Sequence, residues 1–390
     1  MRLLVLCTLY LVAVLLSLQL QFATAANNSD TGNFSFESAG MQLYLDELTH
    51  VDGVVWALDF IDAQTIIFTV RRGDIMLFDL ETRKAQKLTG GPAVHRVMGG
   101  GPFDQVASGG LFDVLVDPGF ANNRFIYLAY VKKTPEGHAL AVARAQLAGN
   151  RLEGLQDIFI ANNASEEAGR WGTRLAMDSQ RYLYIAVGDR RVGDNAQDLA
   201  NHCGKIVRLH ADGSVPDDNP FVGDEDAAPE VWSYGHRNPQ GLAFHPETGE
   251  LFEHEHGPDG GDEINLIQPG KNYGWPVISY GVSRAGTPVG IGTAKEGMEQ
   301  PLRYYKPGIA PSGMSFSSTN RYPGWKGNLF IGSLNRMRLN RVVVDGHDVV
   351  EEEEEQLLAD WGERIREVTE GPDGWLYLAT GSGRIVRIQR

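Results

Sequence analysis

Tyr234-Gly-His-Arg-Asn-Pro-Gln-Gly241, Glu253-His-Glu-His-Gly-Pro-Asp-Gly-Gly-Asp-Glu-Ile-Asn265 and Asn272-Tyr-Gly-Trp-Pro276 crowd Arg, Asn, His and carboxylates among glycines and prolines. Gly and Pro break helices, so these stretches read as strand ends and tight loops that present polar groups. Arg364 and Arg366 alternate, which on a strand puts both on one face. Two planar guanidinium forks there suit a carboxylate-bearing anion. A surface pair balanced by Glu363 and Glu367 is the other reading, and spacing alone favours it. His254 and His256 alternate with Glu253 and Glu255 but lack the H-E-x-x-H spacing of a helical zinc site, so they read as structural strand histidines. Gly257-Pro258, with Gly260-Gly261 behind, exposes backbone carbonyls that a hard cation such as calcium can use. No Asp-rich twelve-residue calcium loop accompanies them. Arg237-Asn238 and Asn335-Arg336 are further polar pairs from other parts of the chain.

Other enzyme templates are missing. The chain has no G-x-S-x-G elbow, no phosphate-binding P-loop and no strand–glycine–helix dinucleotide unit. Met98-Gly-Gly-Gly-Pro102 has no amphipathic helix after it and reads as a loop. Arg2, the apolar run Leu3 to Leu20 and the small residues Ala23-Thr-Ala25 form a secretory signal over 1–25, so the expected location is secreted or periplasmic after cleavage near Ala25. The formal charge is −15, and loss of Arg2 with the signal makes it −16. That balance argues against nucleic acid and anionic membranes as partners. Without a later long apolar run, no stable membrane insertion is expected. Cys7 leaves with the signal, so Cys203 has no internal disulfide partner and reads as a small buried hydrophobe. Asn27, Asn33 and Asn163 head glycosylation sequons.

Something must bring these scattered groups together. Six similar segments recur, each after a turn-like stretch, with aromatics at Phe68, Tyr127, Tyr184, Phe252, Phe330 and Tyr377. An interval near 60 residues holds about four strands plus loops, which is one propeller blade. The expected fold is all-β, a six-bladed β-propeller over 45–390, with 26–44 as a flexible N-terminal segment. A pair of β-sandwiches is the competing architecture, but no linker separates two halves. The only candidate helix lies in 350–367, where Glu351 to Glu355 reads as a solvated loop or helix face.

Together these segments resemble the soluble quinoprotein glucose and aldose sugar dehydrogenases, which use pyrroloquinoline quinone (PQQ). The resemblance runs through most of 45–388. It includes Gly109-Gly-Leu-Phe-Asp-Val-Leu-Val-Asp-Pro118, Gly188-Asp189, Asn195-Ala-Gln-Asp-Leu199, Gly204-Lys-Ile-Val-Arg-Leu209, Ala310-Pro-Ser-Gly-Met314 and Arg364-Ile-Arg366. It implies a six-bladed propeller with the quinone and calcium at the channel mouth. Arg237 and Asn238 would contact the quinone, and Arg364 and Arg366 would pair with its carboxylates. The Gly257 and Pro258 carbonyls would bind Ca2+. A sugar would then lose a hydride from its anomeric carbon to the quinone and its hydroxyl proton to a base, giving a lactone, and an electron acceptor would reoxidise the cofactor. Three positions depart from the pattern: Arg170 stands where the family has its base histidine, Ser108 where a sugar-binding Gln is usual, and Asn335 where a Lys is frequent. Asp189, the family's carboxylate beside that histidine, is expected to pair with Arg170. Two functions follow from this pattern. One is a secreted sugar dehydrogenase with altered or lost activity, with Asp189 or water as the candidate base; the other is a noncatalytic propeller that binds carbohydrate or protein.

Overall fold

The structure, a computed structural model, describes residues 34–97 and 108–390. The signal segment, the sequons at Asn27 and Asn33 and the Met98–Pro102 stretch fall outside these residues.

Six antiparallel sheets form the blades. Their innermost strands are Val55–Phe60, Leu111–Val116, Gly172–Met177, Pro239–Phe244, Pro311–Phe316 and Ile365–Glu370. Each inner strand packs against the next, and Ile365–Glu370 returns to Val55–Phe60, which closes the ring. The fold is the six-bladed β-propeller expected. The described helix is limited to one α-turn, Phe120–Asn123, and short 3-10 turns. The sixth blade joins both ends of the chain: Met41–His50 pairs with Arg384–Gln389, and Ser35–Ser38 adds an outer strand. Residues 35–44 therefore belong to this blade, not to a flexible segment. Met41, Leu43 and Leu45 alternate inward with exposed Gln42 and Tyr44, a period-2 pattern that fits a half-buried strand.

The six recurring aromatics all fall on the second strand of a blade and all are buried. In three blades the turn before that strand supplies an aspartate for the ring hydroxyl. Tyr127 Oη donates to Asp117 Oδ2 at 3.0 Å, Tyr184 to Asp178 at 3.4 Å and Tyr377 to Asp373 at 2.8 Å. A buried phenol needs such a partner, which ties the Asp-containing turn to the aromatic strand in the sequence repeat. Over 350–367 no helix forms beyond the one 3-10 turn Glu351–Glu353, and Glu355 enters a strand, where it pairs with Arg341 at 2.7 Å.

Every inner strand is bulged near its N-terminal end. The register breaks fall at Val55/Ala57, Leu128/Tyr130 (opposite Leu111–Val114), Gly172/Leu175, Pro239/Gly241, Ser312/Met314 and Ile365/Glu367. A bulge bends the strand and re-aims the extra side chain. Trp56, Gln240 and Arg366 are such residues, and all three line the cleft at this end of the channel.

Candidate functional site

The cleft has a volume of about 150 Å³ and is walled by inner-strand N-termini from blades 1, 2, 3, 4 and 6. It gathers Ser108, Arg170, Asn238 and Arg366, which lie far apart in sequence. Arg237 and Gly257 line a smaller neighbouring space of about 10 Å³, room for about one water. Asp189, Pro258 and Arg364 line neither space.

Arg170 sits in left-handed backbone (φ 47°) just before blade 3. Its Nη1 donates to Asp189 Oδ2 at 2.8 Å. Trp275 Nε1 donates to the same oxygen at 2.8 Å, and the Arg191 amide donates to Oδ1 at 2.8 Å. Asp189 is fully buried. With these partners the carboxylate is charge-matched and closed to a substrate, so the geometry removes Asp189 as a direct base. The two loops meet because Gly188 has no side chain: a Cβ there would stand 2.2 Å from the Arg170 carbonyl oxygen. Next to this pair, Ser108 Oγ accepts from Trp171 Nε1 at 2.8 Å, and the Arg190 guanidinium stacks 3.3 Å over the same indole.

Cations dominate the site. Arg366 lies 4.3 Å over Trp56, and withdrawal from water together with Arg174 and Arg71 pulls its pKa down to about 9. Arg237 Nη1 donates to the His256 carbonyl at 2.7 Å, and burial, then Arg170, lowers its pKa to about 10. The Nε atoms of Arg366 and Arg237 are buried and have no partner. Clustered cations with unused donors form a receptor for an anion. Arg364 does not join them: it precedes the strand and is exposed, and the bulge at Arg366 breaks the alternation that would set both on one face. The balancing carboxylates are committed elsewhere, Glu367 to Arg174 and Glu363 to Arg384 at 3.2 Å.

Asn238 is held from two sides. Its Oδ1 accepts from the Gly172 amide at 3.4 Å, and its Nδ2 faces His256 Nδ1 at 3.4 Å. His256 Nε2 donates to the Pro311 carbonyl at 2.8 Å, which leaves Nδ1 as the acceptor. His254 is fully buried, and burial lowers its pKa to about 3, so it is a neutral structural histidine as expected. Gly257 N donates to Asp262 Oδ1 at 2.8 Å, whereas the Gly257 and Pro258 carbonyls accept no hydrogen bond from a described residue. Free carbonyls at one turn fit a hard cation. Asn335 and Arg336 lie outside both spaces. Cys203 is buried, with its thiol pKa pushed up to about 11, so it stays neutral.

Beneath the cleft, Arg174 plugs the channel. It contacts Asp113 at 3.4 Å and Glu367, and its Nε donates to the Gln240 carbonyl at 2.7 Å. A second cavity of about 150 Å³ lies further along the inner strands, lined by Asp59, Asp113, Arg174 and Glu367.

A sequence model of the family "Glucose / Sorbosone dehydrogenase" matches residues 53–387. The chain belongs to this family. Among its relatives, aldose sugar dehydrogenase YliI of Escherichia coli (strain K12) is 37% identical over 359 residues, covering 90% of this chain and 93% of the relative. Quinoprotein glucose dehydrogenase B of Acinetobacter calcoaceticus is 32% identical over 190 residues, covering 42% of this chain and 38% of the relative. A crystal structure of a glucose dehydrogenase superposes with a TM-score of 0.83 at 40% identity, covering 89% of this chain and 99% of that one. The protein is thus a sugar dehydrogenase-like member of the oxidoreductase class, with Trp56, Trp171, Trp275 and His256 as site residues that spacing did not disclose. Their signal lies in the bulges and loop crossings, which only pairing register reveals.

Proposed function

We propose that this chain is an exported PQQ-dependent sugar dehydrogenase in which Arg170 has replaced the proton acceptor, so that binding persists and turnover falls. The carrying observation is the cleft's composition. Among its described lining residues there are three arginines and no His, Asp, Glu or Lys. An arginine stays protonated in proteins and takes no proton from a sugar hydroxyl.

The donor set fits the quinone. Arg366 Nε and Arg237 Nε are unpaired donors for a polycarboxylate, and Asn238 is pre-oriented by His256. Gly257 and Pro258 would hold calcium through their carbonyls. When bound, PQQ supplies a two-electron acceptor for a hydride. The chain's residues bind and orient: Arg366 and Asn238 fix the cofactor side, while Ser108, held by Trp171, offers a short hydroxyl toward the sugar. The Arg170–Asp189 pair puts a guanidinium, which accepts no proton, at the position where the resemblance sets the base.

Titration of the mature protein with PQQ and Ca2+, followed by anaerobic addition of aldoses, tests this reading. Stoichiometric binding with slow or undetectable quinone reduction is expected, and Arg170→His should raise the reduction rate at least tenfold, since a positioned base contributes about 10²–10⁴-fold. Failure to bind PQQ would sink the proposal and favour the second reading, a noncatalytic propeller. The Arg170–Asp189 lock is the observation in favour of that alternative.

A further inference from the structure

Behind the cleft, between blades 3 and 4, lies a polar cluster that the quinone reading leaves unused. His236, Glu253 and Glu255 are all buried and can present one ligand atom each, the three within 4.8 Å of one another. They come from two elements: His236 follows the last strand of blade 3, and Glu253 and Glu255 share one face of Leu251–Glu255.

His236 and Glu253 are each held at one atom and unpartnered at the other, and Glu255 is held at one oxygen. His236 Nε2 contacts Ser233 Oγ at 2.9 Å, and Nδ1 has no hydrogen-bond partner. Glu253 Oε2 accepts from Asn265 Nδ2 at 3.0 Å, and Oε1 has no partner. Glu255 Oε2 accepts from the Arg237 and Asn238 amides, and Oε1 faces His236 Nδ1 at 3.5 Å. Asn265 Oδ1, also buried, is unpartnered as well.

Such groups, orphaned in the interior, have given up their bonds to water without replacement. No arginine or lysine among the described residues forms an ion pair with Glu253. In the tautomer that donates Nε2–H to Ser233, His236 Nδ1 carries a lone pair aimed at a carboxylate oxygen, and two acceptors cannot satisfy one another. A cation between them can. Ligands about 2.0–2.1 Å from a tetrahedral ion stand roughly 3.3 Å apart, close to the observed 3.5 Å. Tethered far atoms and free near atoms are what an outer shell imposes on metal ligands.

We propose that His236 Nδ1, Glu253 Oε1 and Glu255 Oε1 form a buried site for a divalent first-row metal of the zinc type. One imidazole with carboxylates favours such an ion over calcium, which takes oxygen ligands alone. The Gly257 and Pro258 carbonyls belong to the following loop and are separate. Through Glu255 the ion braces the backbone amides of Arg237 and Asn238, so it stiffens the cleft wall without touching substrate. The proposal stands whether or not the chain binds PQQ.

The test uses the mature chain expressed with zinc supplementation, dialysed and analysed by elemental mass spectrometry, then stripped with chelator and titrated with zinc chloride. One tightly held equivalent is expected, with a rise in Tm on reloading. Glu253→Gln should weaken zinc binding at least 100-fold with the circular dichroism spectrum unchanged, and Ser233→Ala about tenfold, the loss typical of outer-shell partners. Wild-type protein that neither retains zinc nor binds it below about 10 µM overturns the site. So does zinc binding that both variants leave unaltered, which would place the ion elsewhere.

Discussion

Arg170 Nη1 and Asp189 Oδ2 are 2.8 Å apart, and the aspartate is fully buried while the arginine is 28% exposed on its side chain. The pair is asymmetric, so its two halves should respond differently. Asp189→Asn leaves Arg170 without its counter-charge and Trp275 Nε1 with a weaker acceptor. A loss of about 2–3 kcal/mol is expected in urea unfolding, below the full range for a wholly buried pair because Arg170 reaches water. Arg170→His should cost less, since an imidazole can still donate to Asp189. A larger loss for Arg170→His than for Asp189→Asn would contradict this geometry.

Arg366 and Arg364 should be unequal in cofactor binding. Arg366 is poised over Trp56 with an unused Nε, whereas Arg364 is exposed and outside the cleft. Arg366→Gln should weaken PQQ binding about 10- to 100-fold, the loss of one or two charge-assisted bonds. Arg364→Gln should change it less than threefold at physiological ionic strength, because exposed charges are screened. Fluorescence titration of both variants decides the point, and equal losses would restore the paired role that alternation implies.

Asp59 sits in the lower cavity, and withdrawal from water raises its pKa from 3.8 to about 7 against the amides of Val116 and Phe60 that hold its oxygens. The folded protein therefore keeps a proton that the unfolded chain has released. Stability from this group is present at low pH and is lost as pH rises from about 4 through 7. Asp59→Asn should flatten that part of the stability–pH curve, at a pH-independent cost from one mismatched amide contact. Denaturant midpoints from pH 4 to 8 measure it; an unchanged slope in the variant would exclude Asp59 as the titrating group.

The propeller was legible because its repeat is physical. Each second strand needs a large buried aromatic and each turn an acidic or glycine-rich reversal, so Tyr127, Tyr184 and Tyr377 and their aspartates mark three blades directly. Arg170 facing Asp189 was legible only through the family resemblance, which sets that carboxylate beside the substituted position. What was not legible depends on register. Arg366 departs from Arg364 only because a bulge inserts there, and no residue type announces a bulge. Trp275 reaches Asp189 from a loop 86 positions away, and His256 turns from a strand histidine into the orienting partner of Asn238. The N-terminal boundary was misplaced for a related reason: Met41–His50 is a short alternating strand whose partner lies at the far end of the chain.

That closure makes the sharpest prediction about stability. Met41, Leu43, Leu45 and Leu48 are buried on the strand that completes blade 6. At about 1.5–3 kcal/mol for each buried side chain, they contribute roughly 6–12 kcal/mol, comparable with the whole net stability of a typical domain. A chain starting at Phe34 keeps all four, and its Tm should match that of the mature protein within about 2 °C. A chain starting at Val51 loses them and leaves the Arg384–Gln389 edge without its partner, an open template for aggregation. It should be insoluble, or unfold at least 15 °C lower by differential scanning fluorimetry. Near-equal melting of the two truncations would mean that the ring holds without its closing strand, and that the inner-strand contacts between blades 6 and 1 suffice.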